Sequence, residues 1–474
     1  MGKQALSTIL GAVICGFLPP FCLAQAPTAD EAAFRSLYKE LVEINTTRSV
    51  GSCTQAAEAM RAHLLGAGMA AADAQILAPA DRPMDGALIA VLHGRDRQLK
   101  PILLLAHIDV VEAKREDWQR DPFTLVEENG WFYARGANDD KAMAAIFTDS
   151  LVRYQKERFK PRRDIKLALT CGEETSDVFN SVQWLLETQP QALSAAFGLN
   201  EGAAGELDEH DKPVSLDIQA GEKVYQDFAV EASDVGGHSS RPNKNNPIVR
   251  LSAGLVRLGN HNFAIALNQA TRGYFEAQAK MAPPQIAADI RALLKNPPDE
   301  AAAERLGSRN LAWNGMMRTT CVVTQISGGH APNALPQHVR ANVNCRILPG
   351  VPIPDVQREL VTVLADDQIS VAPTGEPGMQ SPPPPLSPQI MNPVRAVANA
   401  IWPGVAIVPT MSTGATDGRF LNAAGIPIYG LSGLFHDAEG PHSHGLNERI
   451  RVKSLMDGRR FLYEVVKLYA NGAE

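Results

Sequence analysis

Cysteine is scarce, at 6 of 474 residues. Two of these, Cys15 and Cys22, fall in an N-terminal stretch with leader character. The other four, Cys53, Cys171, Cys321 and Cys345, are too few and too scattered for a disulfide scaffold. Cys321 and Cys345 sit on two strand-like runs, and antiparallel pairing of those runs makes them candidates for one bridge. Excess positive charge is also missing. The formal net charge is −7, which argues against nucleic acid or an anionic membrane as the main partner. Beyond Leu23 no apolar run is long enough to span a bilayer. No Gly-x-Ser-x-Gly elbow and no His-Glu-x-x-His helix motif occurs. Gly66-Ala67-Gly68 follows a helical pattern rather than a strand, so it makes a poor dinucleotide fingerprint. Internal repeats are absent.

What remains is the balance of a soluble globular chain, 45% apolar and 20% charged. Its length calls for at least two domains. Lys3, the apolar run Ile9–Leu23 and the small-x-small site Ala24-Gln25-Ala26 read as a secretory signal peptide over 1–26. The mature protein is therefore expected to be secreted or periplasmic, with no membrane attachment after cleavage.

From Asp30 to about Ile218, helical and strand patterns alternate. The strands Ala87–Leu92, Pro101–Ala106, Ile165–Thr170 and Ala196–Leu199 are continuous apolar runs, as when helices cover both faces of a sheet. This predicts an α/β catalytic domain, a mainly parallel sheet flanked by helices, beginning with 27–221. Period-two alternation at Val224–Ala232, Arg318–Ser327 and Gln337–Leu348 predicts a smaller inserted α+β domain over 222–372. A proline-rich linker covers 373–389. Residues 390–474 return to complete the first sheet.

Parallel sheets place ligands at the carboxyl ends of their strands. Polar groups cluster at those ends here: His107-Ile108-Asp109, Asp139-Asp140-Lys141, Glu173-Glu174 and Asn200-Glu201. His444 lies far downstream, in a segment that also holds His436 and His442. Each has a plain structural reading when taken singly. Asp139 suits the start of a helix, and Glu201 suits a solvated turn. Two adjacent glutamates at a strand tip repel each other unless a cation is near. Together the set offers the nitrogen and carboxylate ligands of a two-zinc hydrolytic site, with one glutamate free to move protons.

The order and spacing resemble the zinc amidohydrolase and exopeptidase family of aminoacylase, carboxypeptidase S and Gly-X carboxypeptidase. The matching blocks are Leu105–Val110, Arg135–Lys141, Gly172-Glu173-Glu174, Leu199–Gly202, Gly236–Ser240 and His444–Glu448. The resemblance implies two Zn2+ ions per subunit. His107 and Glu201 would hold one, Glu174 and His444 the other, and Asp139 would bridge them. It implies that Asp109 orients His107 and that Glu173 is general base and then acid. The inserted domain becomes a lid and a homodimer contact, with His238 stabilising the oxyanion within or across subunits. Asn333, Arg346, Gly414 and Arg419 would bind substrate near its carboxylate. Two positions depart from the family pattern: Ala142 stands where Gly is frequent, and Gly172 where Asp or Ala is frequent. The expected activity is cleavage of an amide beside a free carboxylate, in an N-acyl amino acid, a dipeptide or a short peptide's C-terminus. The alternative is a catalytically inactive peptide-binding member of the same fold.

Overall fold

The computed structural model describes residues 28–175, 178–375 and 378–472. The expected leader, 1–26, lies outside them. Ile102–His107 is buried along its whole length. It pairs in parallel with Ile165–Thr170 on one side and Phe197–Asn200 on the other. The register sets His107 opposite Thr170, so the residues that follow all three strands emerge at one edge. Apolar side chains on both faces require cover on both. Helix Lys141–Lys156 supplies much of it on one side and is buried over most of its surface.

The chain returns late to finish this ten-stranded mixed sheet. Ile428–Gly430 pairs in parallel with Phe197–Asn200, and Ala406–Ser412 in parallel with Pro213–Glu222. The C-terminal helix Val452–Asn471 then packs on Lys141–Lys156. A buried ion pair joins the two helices, Arg459 Nε to Asp149 Oδ2 at 2.7 Å. Among the described residues no helix is long and apolar enough to cross a membrane.

A second sheet is wholly antiparallel, in the order Thr320–Gly328, His338–Ile347, Val224–Ser233, Ile369–Thr374. Its alternating strands bury Phe228, Val230, Val339 and Val343 with Leu251 and Leu360 from helices Pro247–Gly259 and Ile353–Leu364. The helical stretch between these strands does not join that core. Phe275, Ile290, Leu306 and Trp313 form a cluster of their own. Helix Gln269–Met281 packs instead on strand Ala406–Ser412 of the first sheet. Gly273 permits that approach, since a Cβ there would meet Pro409 at 3.1 Å.

Among the described residues two disulfides are present. Cys321 and Cys345 are direct cross-strand partners and are bonded. The second, Cys53–Cys171, corrects the reading of the remaining cysteines as scattered. It joins the start of helix Cys53–Gly66 to the residue just past strand Ile165–Thr170. A separation of 118 residues hid the pair from any local pattern.

Asp217 lies on strand Pro213–Glu222, beside Val408 of the parallel neighbour. Among the described residues its one side-chain hydrogen bond is with Ser215, at 3.4 Å. Burial, reinforced by Glu206, pushes the carboxyl up to about 7. An acid whose folded pKa lies above its unfolded value stabilises the fold while protonated. That contribution is lost as pH rises from about 4 to about 7. Asp217→Asn should therefore gain stability over the parent across this window, by on the order of 3 kcal/mol. Urea denaturation at pH 4.5 and pH 8 measures it; an equal difference at both values contradicts the account.

Candidate metal centre

Three parallel strands bring His107, Glu173-Glu174 and Glu201 to one edge. Asp139, expected at such a strand end, instead comes from the loop between Trp131–Tyr133, a strand of a separate antiparallel sheet, and helix Lys141–Lys156. His107 closes its strand and is 2% exposed. Its Nε2 lies 3.1 Å from Asp139 Oδ1 and 3.6 Å from Glu201 Oε1. On the other side, His444 Nε2 lies 2.9 Å from Glu174 and 3.3 Å from Asp139 Oδ2. The two oxygens of Asp139 thus face different groups of donors. Ligand atoms of His107, Asp139 and Glu201 lie within 4.8 Å of one another, and so do those of Asp139, Glu174 and His444.

Glycine shapes the glutamate loop. Gly172 has φ +90°, and a Cβ there would meet the Phe179 carbonyl oxygen at 2.2 Å. The departure from Asp or Ala at this position therefore has a steric cause in this chain. Asp109 sits differently from its expected place. His107 Nδ1 faces the Asp109 carbonyl oxygen at 3.0 Å, with the carboxylate at 3.7 Å. The carboxylate instead accepts from the backbone N–H of Glu173 at 3.3 Å and of Glu174 at 3.1 Å. Two backbone donors turning out of the strand capture it. Asp109 consequently couples the histidine strand to the glutamate loop.

Charge is crowded here. Burial first, then neighbouring carboxylates, pushes Glu173 up to about 8 and Glu201 well above the usual range. Asp140 is raised by burial as well. Burial acts on Asp139 in the same direction, but its hydrogen bonds to His107 and His444 hold it low. Hydrogen bonds to Asp139 and Glu174 raise His444 to about 10. Burial works against protonation of His107, yet Glu201 and Asp139 lift it well above its ordinary value. Buried carboxylates that outnumber their imidazole partners suit divalent cations, and mixed nitrogen and carboxylate donors suit zinc. The residues fit such a group.

The other expected site residues divide. Arg346 and Arg419 lie close enough that Arg419 helps to lower the Arg346 pKa, although burial is the larger cause. The Arg346 guanidinium stands 4.7 Å over the Tyr225 ring. Gly414 N–H donates to Ser412 Oγ at 3.0 Å. His238 and Asn333 are exposed, on a small ladder that pairs His238 with Ala334. No hydrogen bond or ion pair between described residues connects either one to the cluster. His238 Nδ1 accepts from Ser240 N–H at 3.1 Å, which leaves Nε2 to carry the ring proton.

Two residues were not singled out by the sequence. Glu448 is fully buried. It accepts from Arg135 Nη1 at 2.7 Å and from the backbone N–H groups of Gly136, Asn138 and Asp139 at 2.9–3.0 Å. It therefore fixes the loop that presents Asp139. Asp417, also buried, accepts from Thr170 Oγ1 and Asn180 Nδ2 behind the glutamate loop. Asn447-Glu448 is visible as the end of the His444 block, but nothing local tells that its partners lie about 310 residues upstream.

Comparison with known proteins agrees with this architecture. Residues 103–468 match the family described as Peptidase family M20/M25/M40. The chain is 28% identical over 386 residues to the mouse (Mus musculus) N-fatty-acyl-amino acid synthase/hydrolase PM20D1, covering 79% of this chain and 75% of the relative. In fold it resembles the M20 family metallo-carboxypeptidase Sso-CP2 of Sulfolobus solfataricus, with a TM-score of 0.63 at 18% identity over 92% of this chain and 99% of that one. A dinuclear metal binding peptidase of Bacillus subtilis gives 0.59 at 13% identity, over 93% and 98%.

If Glu448 holds the Asp139 loop, Glu448→Gln should leave a folded protein whose zinc affinity falls about 10–100-fold. Competition with a chromophoric chelator measures this, and unchanged affinity contradicts the role.

Proposed function

The chain belongs to peptidase family M20/M25/M40, and from that premise we propose that it is a secreted two-zinc hydrolase cleaving an amide beside a free carboxylate. The reading rests above all on Asp139, whose two oxygens face His107 and His444 separately. One zinc would be held by His107, Asp139 and Glu201, the other by Asp139, Glu174 and His444. Zinc at such a site supplies Lewis-acid polarisation of a carbonyl and a lowered pKa for water.

The remaining chemistry belongs to side chains. Glu173 takes the proton of the attacking water and delivers it to the departing amine. Asp109 holds the loop that carries it, through the backbone of Glu173 and Glu174. His238, with its proton on Nε2, donates to the developing oxyanion. Arg346 and Arg419, with Asn333 and Gly414, receive the substrate's carboxylate, for which a guanidinium fork is well shaped. Residues 222–372 serve as the lid, 373–389 as its linker, and 27–221 with 390–474 as the catalytic domain. An exposed His238 without contact to its own cluster favours a homodimer through the lid, in which the partner subunit's His238 completes the site. Substrates are short peptides and N-acyl amino acids; the mouse relative is named for one kind of the latter, N-fatty-acyl-amino acids.

Zinc-loaded mature protein should release amine from N-acetyl amino acids and dipeptides and leave their C-amidated forms intact. Equal cleavage of the amidated forms rejects the carboxylate requirement. Glu173→Ala should keep both zinc ions and lose turnover by about 10²–10⁴-fold. Mixing inactive Glu173→Ala and His238→Ala subunits should restore activity; if mixed dimers form and stay inactive, the histidine does not act across the dimer.

A further inference from the structure

Two joined cavities lead away from the cluster. The smaller, about 240 Å³, is lined by Asp139, Asp140, Glu201, His436 and Ser443. The larger, about 410 Å³, shares Gly202, Ala203, Ala204 and His436 with it and extends to Glu206, Asp217 and Ser412. The shared wall is built largely of glycine and alanine, so little side-chain bulk stands between the two.

The far end is acidic, and its acids are not equivalent. Arg451 holds Asp437 at 2.9 Å, and Arg449 holds Glu439 at 2.6 Å. Asp217 and Glu206 have no cationic partner among the described residues. Two further buried polar atoms stand unpartnered, one on the smaller cavity and one beside Gly202 of the shared wall. Asp140 Oδ2, in a residue 2% exposed, lines the smaller cavity. Gln219 Oε1, in a residue 5% exposed, lies where a Cβ on Gly202 would meet it at 2.5 Å. Buried polar atoms ordinarily have partners, so acceptors gathered about two neighbouring cavities point to a ligand that brings donors. A long alkyl chain would leave these groups desolvated and unpaired, which is costly. An ammonium or guanidinium on a flexible stem would satisfy them.

We propose that the preferred substrates carry a cationic side chain on the acyl side of the scissile amide, received in this cavity by Asp217 and Glu206. The assignment deepens the amidohydrolase reading and rests on it. Arg346 and Arg419 would take the carboxylate on the amine side, so the two ends of the substrate meet opposite charge.

The test compares kcat/KM of the zinc-loaded enzyme on four substrates that release alanine: N-acetyl-alanine, Nα-acetyl-lysyl-alanine, Nα-acetyl-norleucyl-alanine and N-lauroyl-alanine. The lysyl substrate should exceed its norleucyl isostere by about 10-fold, the discrimination of one charge-assisted contact. The ratio should shrink with added salt, and in the Glu206→Gln/Asp217→Asn variant it should approach one. Salt dependence in the parent enzyme decides the matter even if the variant folds poorly. Equal lysyl and norleucyl rates, or fastest cleavage of the lauroyl substrate, overturn the inference and leave the amidohydrolase reading standing. No turnover of any of the four, with both metals bound, overturns that reading and this inference together.

Discussion

Mutual repulsion among carboxylates at the ends of buried strands is the constraint around which this molecule is arranged. Asp109, Glu173, Glu174 and Glu201 converge at the carboxyl edge of the parallel strands, and Asp139 and Asp140 join them from the loop that opens helix Lys141–Lys156. Among the described residues His107 and His444 are the imidazoles directly among them. The fold contains the repulsion in layers. Backbone N–H groups hold Asp109, and Arg135 with three backbone donors holds Glu448. The Lys141 amine, wholly buried at the start of its helix, donates to the Ile44 carbonyl; burial lowers its pKa to about 7, against the opposing pull of Glu448 and Asp109. What these layers leave uncompensated lies between His107 and His444, where divalent cations fit.

Much of this was legible from the chain because the strands beneath the site bury both faces. Ile102–His107 and Ile165–Thr170 read as continuous apolar runs, and their polar successors stood out against that background. The return of 390–474 to the first sheet was legible too, from an α/β texture that resumes after the prolines. The ten-residue strand Pro213–Glu222 escaped notice. Its pattern is interrupted by Asp217, which is half-buried, and Gln219, which is buried, without regard to local hydropathy. The helices between 269 and 317 were recognisable as helices but not as partners of strand Ala406–Ser412, because packing between distant segments leaves no local period.

At the site, residue types were easier to foresee than hydrogen bonds. The direction of Asp109 depends on a turn at Gly172 that aims two N–H groups at its carboxylate, a matter of backbone geometry. Glu448 and Asp417 act on loops that are distant in sequence, so their work became visible only with the chain folded. His238 and Asn333 are exposed, and among the described residues neither shares a hydrogen bond or ion pair with the cluster they were expected to serve.

The late return of the chain has a consequence for biosynthesis. His444 and Glu448 lie within the last thirty-one residues, and strands Ala406–Ser412 and Ile428–Gly430 are likewise made after the second sheet. A growing chain folds from its N-terminus, so most of the second sheet's contacts can form while the first is still missing strands. Until His444–Glu448 has been made, the Asp139 loop lacks its anchor and Glu174 lacks His444. A chain stalled or cut before that segment carries His107, Glu173, Glu174 and Glu201 but has no assembled centre with which to attack its neighbours.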